Sequence, residues 1–300
     1  MPTTRILTLA PLWAVLIWSG NAIVTKAAAT VIDPASIALY RWVLALFLLL
    51  PLFGRALWAK RQVVIENLPK LAVLGGLGMA IYQGLAYEAA TSTSAINMGV
   101  ILALAPLMSA FFSSLLAAEP ISRMRLFGGL ISLTGVVVLT TGGQPWRLAD
   151  GNFHLGDALM LAAVSGNAIY SALVKRWAMP LSTWEQLLAQ VGFGVLFLLP
   201  FWLLGPKAAI TAANLPLVLY AGVLASIGAP FFWISGVRQW GASRAALFLN
   251  LLPVLVAFSA WGLLGEHLAW YHALGGAIVL TGVALGLQKR QVSSNAICRE

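Results

Sequence analysis

The sequence predicts an all-α integral membrane protein: ten transmembrane helices arranged as two inverted five-helix repeats. Three observations carry that prediction. The first is composition: 60% of the 300 residues are hydrophobic and only 9% are charged, where a soluble domain carries about 25% charged residues. The second is segmentation, because apolar stretches long enough to cross a bilayer recur along the whole chain. The third is internal repetition at a nearly constant offset.

A helix crosses the hydrocarbon in about 20 apolar residues. Ten stretches qualify, at 7–29, 34–54, 69–90, 94–117, 123–141, 155–177, 182–204, 215–237, 243–264 and 269–288. The connections between them are too short to fold alone. A β-barrel would need alternating segments of about ten residues, and Leu44-Ala45-Leu46-Phe47-Leu48-Leu49-Leu50 does not alternate. The first stretch follows one basic residue, Arg5, and contains Trp18 and Asn21, so it reads as a first helix and not as a cleaved signal peptide.

Net charge is +9, from 18 Lys and Arg against 9 Asp and Glu. In a soluble protein that excess would suggest a nucleic-acid partner. Here it divides by side. Fourteen basic residues fall on the side of the N terminus, among them Arg55, Lys60, Arg61, Arg123, Arg125, Lys175, Arg176, Arg238 and Lys289, and three on the other, Lys26, Arg147 and Lys207. The positive-inside rule then places both termini in the cytoplasm, and the charge orients the chain in the lipid bilayer without calling for nucleic acid. Cys298 is the sole cysteine, so no intramolecular disulfide forms. Nothing has the spacing of a metal or cofactor site. No pair of acids or His residues at midplane suggests an intramembrane enzyme.

The repeat is visible in polar, Pro and Gly positions. Ser19-Gly20-Asn21-Ala22-Ile23 recurs as Ser165-Gly166-Asn167-Ala168-Ile169, an offset of 146. Pro106, Glu119, Gly128-Gly129 and Leu133-Thr134-Gly135-Val136 map to Pro253, Glu266, Gly275-Gly276 and Leu280-Thr281-Gly282-Val283, all at an offset of 147. The chain therefore divides into repeats at 1–145 and 146–290, with a short tail at 291–300. Five spans per repeat is an odd number, so the second repeat enters the membrane upside down. Inverted repeats are a mark of secondary transporters, because two similar halves can exchange conformations and so alternate the open side.

Taken in order, the spans place polar residues as follows. The first sets Trp18, Asn21 and Thr25 on one face. The second carries Arg41 about two turns in; its mate in the repeat is Gln190. The third groups Met79, Tyr82 and Gln83, with Tyr87 close by. The fourth aligns Ser94, Asn97 and Ile101 before Pro106. Glu119 lies in the turn before the fifth, whose small-residue face is Gly128, Gly129, Ser132 and Gly135. The sixth presents Asn167 and Tyr170, the eighth Ser226 and Trp233 around Pro230, and the ninth Asn250 just before Pro253. Glu266 precedes the tenth, with Gly275, Gly282 and Gly286. Polar residues inside a span cost free energy and point to function.

These stripes predict a cavity between the first, third and fourth spans and the sixth, eighth and ninth. Its candidate substrate-binding residues are Trp18, Asn21, Met79, Tyr82, Gln83, Tyr87, Asn97, Ile101, Asn167, Tyr170, Trp233 and Asn250. Amides both donate and accept, which suits the carboxylate and ammonium of a zwitterion. Trp, Tyr and Met supply polarisable walls. Pro106, Pro230 and Pro253 interrupt their helices and are candidate bending points or fixed bends. Arg41 either bonds to another helix or draws an anionic group inward. Glu119 and Glu266 are read as satisfying free helix N–H groups, and the glycines as helix-packing contacts. No Asp or Glu lies at the middle of a span, which disfavours a proton relay.

Two five-span repeats, each with a Pro, then Ala-Glu or Gly-Glu, then a Gly-rich last helix, resemble the EamA-type transporters of the drug/metabolite transporter superfamily. Arg41 in Ala38-Leu39-Tyr40-Arg41-Trp42 matches that family's arginine near the start of its second helix. The length and the Trp-Ser-Gly-Asn first helix most resemble the bacterial YddG-type exporters of aromatic and other neutral amino acids. The resemblance implies an inner-membrane exporter that works by alternating access, takes an amino acid as its small-molecule substrate and functions as a monomer. The first helix lacks the acid of the small multidrug members of the superfamily, which argues against cationic drugs. Another neutral or zwitterionic metabolite on the same fold is the alternative.

Overall fold

The structure is a computed structural model. It describes residues 9–28, 31–90, 92–93, 95–148, 154–264 and 267–288, among which there is no strand. Eight helical segments are long and apolar enough to cross a membrane: Pro34–Ala59, Asn97–Ala117, Arg123–Thr140, Leu155–Trp177, Thr183–Leu204, Leu215–Trp240, Ala242–Ser259 and Trp270–Leu287. The first helix adds the shorter apolar stretch Ala10–Thr25, and residues 68–90 are helical throughout but divided by a π turn. The chain is thus an all-helical, multi-pass membrane protein. Its outward faces carry Phe47, Leu52, Phe201 and Leu204, all strongly exposed, as lipid contact requires.

Helix starts follow from local chemistry. Helix α1 spans Ala10–Ala28 and α2 Pro34–Ala59. Asp33 caps α2 by accepting from the Ser36 N–H at 2.8 Å, and Pro34 takes a first-turn position where its missing N–H costs nothing. Two short helices follow, α3 (Arg61–Glu66) and α4 (Leu68–Gly75). A π turn over Gly76–Ile81 leads into α5 (Tyr82–Ala90). The next span is broken into α6 (Ala95–Leu102) and α7 (Ala105–Ala117), with the break just ahead of Pro106. Helix α8 covers Arg123–Thr140.

The second half repeats these devices. Helix α9 (Leu155–Trp177) begins with Asp157 accepting from the His154 N–H at 2.8 Å, and α10 (Thr183–Leu204) with a reciprocal cap between Ser182 and Glu185. Helix α11 (Leu215–Leu219) runs through a π turn, Tyr220–Gly228, into α12 (Ala229–Trp240), with Pro230 in the first turn after it. The following span is split into α13 (Ala242–Leu247), a 3₁₀ turn over Phe248–Leu251 and α14 (Leu252–Leu264), with Pro253 in the first turn of α14. Helix α15 (Trp270–Leu287) closes the bundle. The breaks before Pro106 and Pro253 have the cause expected of proline, which removes an internal hydrogen bond and clashes with the preceding turn. Pro51 and Pro200, by contrast, sit inside unbroken helices.

Packing interlocks the two halves of the sequence. Helix α1 lies against α12 and α14, whereas α9 lies against α5, α6 and α7. Helices α2 and α10 pack on each other, and each also packs on the other half's π turn. One apolar core therefore draws on both halves, from Val15, Trp42 and Met79 to Tyr170, Trp233 and Val279.

The closest approach is between α8 and α15. A Cβ on Gly128 would lie 2.4 Å from the Gly282 carbonyl oxygen, and one on Gly135 2.7 Å from that of Gly275. Contacts that climb one helix and descend the other make the pair antiparallel. Lipid gives apolar helices little reason to associate, so backbone-to-backbone contact of this kind supplies the packing energy. The small-residue face expected on each helix is the surface that meets here.

Candidate functional site

At the centre of the bundle Trp233 projects from α12. Its indole Nε1 donates to Ser171 Oγ on α9 at 3.1 Å, and its ring lies 5.5 Å from that of Trp18 on α1, tilted by 52°. Beside it lies a closely packed crevice, with no room for a water-sized molecule, lined by Asn167, Ala168 and Ser171 of α9, Ala105 and Ser109 of α7, and Ala246 and Leu249. The sequence builds it simply. Asn167 and Ser171 are one helical turn apart and share a face, and Ala105, Ala168 and Ala246 bring small side chains beside the indole. Ser109 is 1% exposed and its Oγ has no hydrogen-bond partner, which is costly for a buried hydroxyl. The crevice is closed, far from the roughly 300 Å³ at which small-molecule pockets begin.

Three of the expected binding residues thus meet: Trp18, Asn167 and Trp233. Others lie elsewhere. Tyr170 is buried and donates to Gln190 Oε1 at 3.0 Å. Met79 is buried in the π turn, against Gly194. Asn21 Nδ2 reaches Thr25 Oγ1 at 3.4 Å on its own helix, and its Oδ1 is buried without a partner. Gln83 likewise keeps an unpartnered buried Oε1. Tyr82 is half-buried, as is Ile101, which packs on the core. Asn97 lies at one end of the bundle, where it donates to Asp157 at 3.0 Å beside Thr93, which bonds the same oxygen. Asn250 donates to Ser132 Oγ at 2.5 Å, joining the 3₁₀ turn to α8. The side chain of Tyr87 lies outside the described residues, as does Glu266.

The remaining singled-out residues tie helices together. Buried Arg41 donates through Nε to Ser226 Oγ at 2.6 Å in the second π turn, and its guanidinium lies 5.4 Å from the centre of the Trp42 ring. Glu119 accepts from the Ala242 N–H at 3.1 Å and lies 3.8 Å from Arg125. The helix it caps is α13, in the other half, beside Gly241, whose φ of +83° suits glycine.

Ser109 and Ser171 do not emerge from the reading of the sequence. Ser171 was within reach, one turn beyond Asn167 on the same stripe. Ser109 carries no pattern of its own, and only the packing of α7 on α9 brings it to the crevice.

The crevice lies where the two halves of a multi-pass helical bundle interlock. The model of the EamA-like transporter family matches residues 5–141 and again 154–287. The chain belongs to that family and is a transporter. An uncharacterized transporter of Archaeoglobus fulgidus is 26% identical over 92% of this chain and 95% of its own. The uncharacterized transporter YyaM of Bacillus subtilis is 23% identical over 84% and 83%. A protein named a probable terminal-alkyne amino-acid exporter, from Streptantibioticus cattleyicolor, is 25% identical over 75% of each chain. A solved crystal structure superimposes with a TM-score of 0.76, covering 94% of this chain and 96% of its own at 19% identity; that likeness concerns the fold.

Proposed function

We propose that the protein is a secondary transporter that exports neutral amino acids, aromatic ones included, across a bacterial inner membrane by alternating access. The observation that carries this reading is the crevice where Trp233, backed by Trp18, meets Asn167, Ser171 and Ser109. Indole walls with neutral hydrogen-bonding groups suit a zwitterion bearing an apolar side chain. The relative named as an amino-acid exporter points the same way.

In this reading α1 and the segment 68–90 complete ten spans, and the halves 1–145 and 146–290 are inverted repeats. Support comes from the matched breaks before Pro106 and Pro253, the paired π turns and the antiparallel contact of α8 with α15. The crevice is too small for a whole solute as it stands, so α6–α7 and α13–α14 bend at their breaks to enlarge it. Both termini lie in the cytoplasm, as the distribution of Lys and Arg asks, and the transporter works as a monomer. In counterflow with purified protein in liposomes, labelled phenylalanine and leucine exchange against unlabelled amino acid. Exchange of other metabolites without any amino acid overturns the substrate assignment.

A further inference from the structure

In the side chains of Gln186, Gln190 and Arg238 three buried donor atoms lack acceptors. Arg238, in the last turn of α12, donates through Nη1 to the Leu181 carbonyl at 3.1 Å and Thr183 Oγ1 at 3.3 Å, and through Nη2 to Gln186 Oε1. Its Nε has no partner. One turn further along α10, Gln190 accepts from Tyr170. Both glutamines have thus committed their oxygens, and both amide nitrogens are unpartnered, in side chains only 1% and 0% exposed. The adjacent carboxylate, Glu185, is occupied by Lys60 at 2.8 Å and by the Ser182 N–H at 2.7 Å.

Each unmet buried donor costs on the order of 1–3 kcal/mol. Here two amide nitrogens accompany the unmet Nε of a guanidinium that keeps its charge. A water molecule serves this set poorly, since it brings two protons of its own. A group that only accepts resolves it.

We propose that Gln186, Gln190 and Arg238 form an anion subsite that takes the carboxylate of the transported solute on its way to or from the crevice. This rests on the amino-acid reading above. The residues make a ladder. Arg238 bonds Gln186, and Gln190 lies one turn further along α10. Tyr170 then hands on to Asn167 and Ser171, its neighbours on α9, which line the crevice.

The test uses the purified full chain and three probes: phenylalanine, 3-phenylpropanoate, which keeps only the carboxylate, and phenylalaninamide, which lacks it. Wild type binds both carboxylates by calorimetry. The Q186L/Q190L double variant binds them at least tenfold more weakly while phenylalaninamide is unchanged. Should that variant fail to fold, Q190E, nearly isosteric, repels both carboxylates and strengthens binding of the cationic amide. Carboxylate binding that is absent in wild type, or equal in wild type and both variants, overturns the subsite. The two readings fail separately. Gln-dependent binding of 3-phenylpropanoate without counterflow of any amino acid removes the transport assignment and keeps the subsite. Counterflow of phenylalanine that ignores Gln186 and Gln190 does the reverse.

Discussion

Asn97 and Asn167 look alike as residues, each an amide on a polar stripe of an apolar helix. Their surroundings separate them. Asn167 lines the crevice, whereas Asn97 donates to Asp157, which is 3% exposed and already caps α9. N97A therefore leaves a buried carboxylate short of a donor, at a cost of about 1–3 kcal/mol, and lowers the melting temperature in detergent. N167A removes a crevice wall and lowers counterflow about tenfold with little change in melting temperature. If the two variants behave alike in both assays, the separation drawn here is wrong. W233F keeps the ring but loses the bond to Ser171, so its transport falls less than that of W233A. Periodicity marks polar residues inside spans, and it marked both asparagines. It cannot say whether a neighbouring helix brings a partner, because that depends on contacts 60 or more residues away, as between Asn97 and Asp157.

The elements themselves were mostly legible. Apolar length marked the spans, and Pro106 and Pro253 marked the breaks in α6–α7 and α13–α14. The π turns at Gly76–Ile81 and Tyr220–Gly228 were not, since both stretches are small or apolar nearly all round and a change of face there leaves no mark in the pattern. Both occur where a helix of the other half leans in, with Tyr170 beside Gly78 and Leu44 beside Gly222. At this scale two outcomes are expected. Replacing Gly128 or Gly282 with Leu drives a side chain into facing backbone and abolishes monodisperse protein in size-exclusion chromatography. P106A restores an N–H and lets α6 run into α7, which stiffens the bend. Counterflow then slows several-fold at unchanged substrate affinity, and an unchanged rate would make the bend a fixed shape and not a hinge.

For the whole molecule, the repeat and the charge distribution told more than any single residue. The constant offset gave the correspondence between halves, and the family model falls on both of them, at 5–141 and 154–287. What repetition leaves open is how the copies meet. Two equal halves can pack side by side or exchange helices, and only the contacts of α1 with α12 and α14, and of α9 with α5 to α7, distinguish these. Orientation has its own check. A membrane-impermeant thiol reagent applied to intact cells leaves Cys298 unlabelled until the membrane is opened, and labelling before that point reverses the assigned sides.

The exchange of helices has a consequence for biosynthesis. When α1 leaves the ribosome, the helices that will cover its Trp18 and Asn21 face lie about 200 residues away, some 10–40 s of translation at ordinary rates. During that interval an amide-bearing helix stands in lipid without its partners. A chain arrested in the connection after α8 stays in that condition. Such a fragment is a ready substrate for membrane proteases and insertion chaperones, and it becomes stable only when the missing half is supplied alongside it.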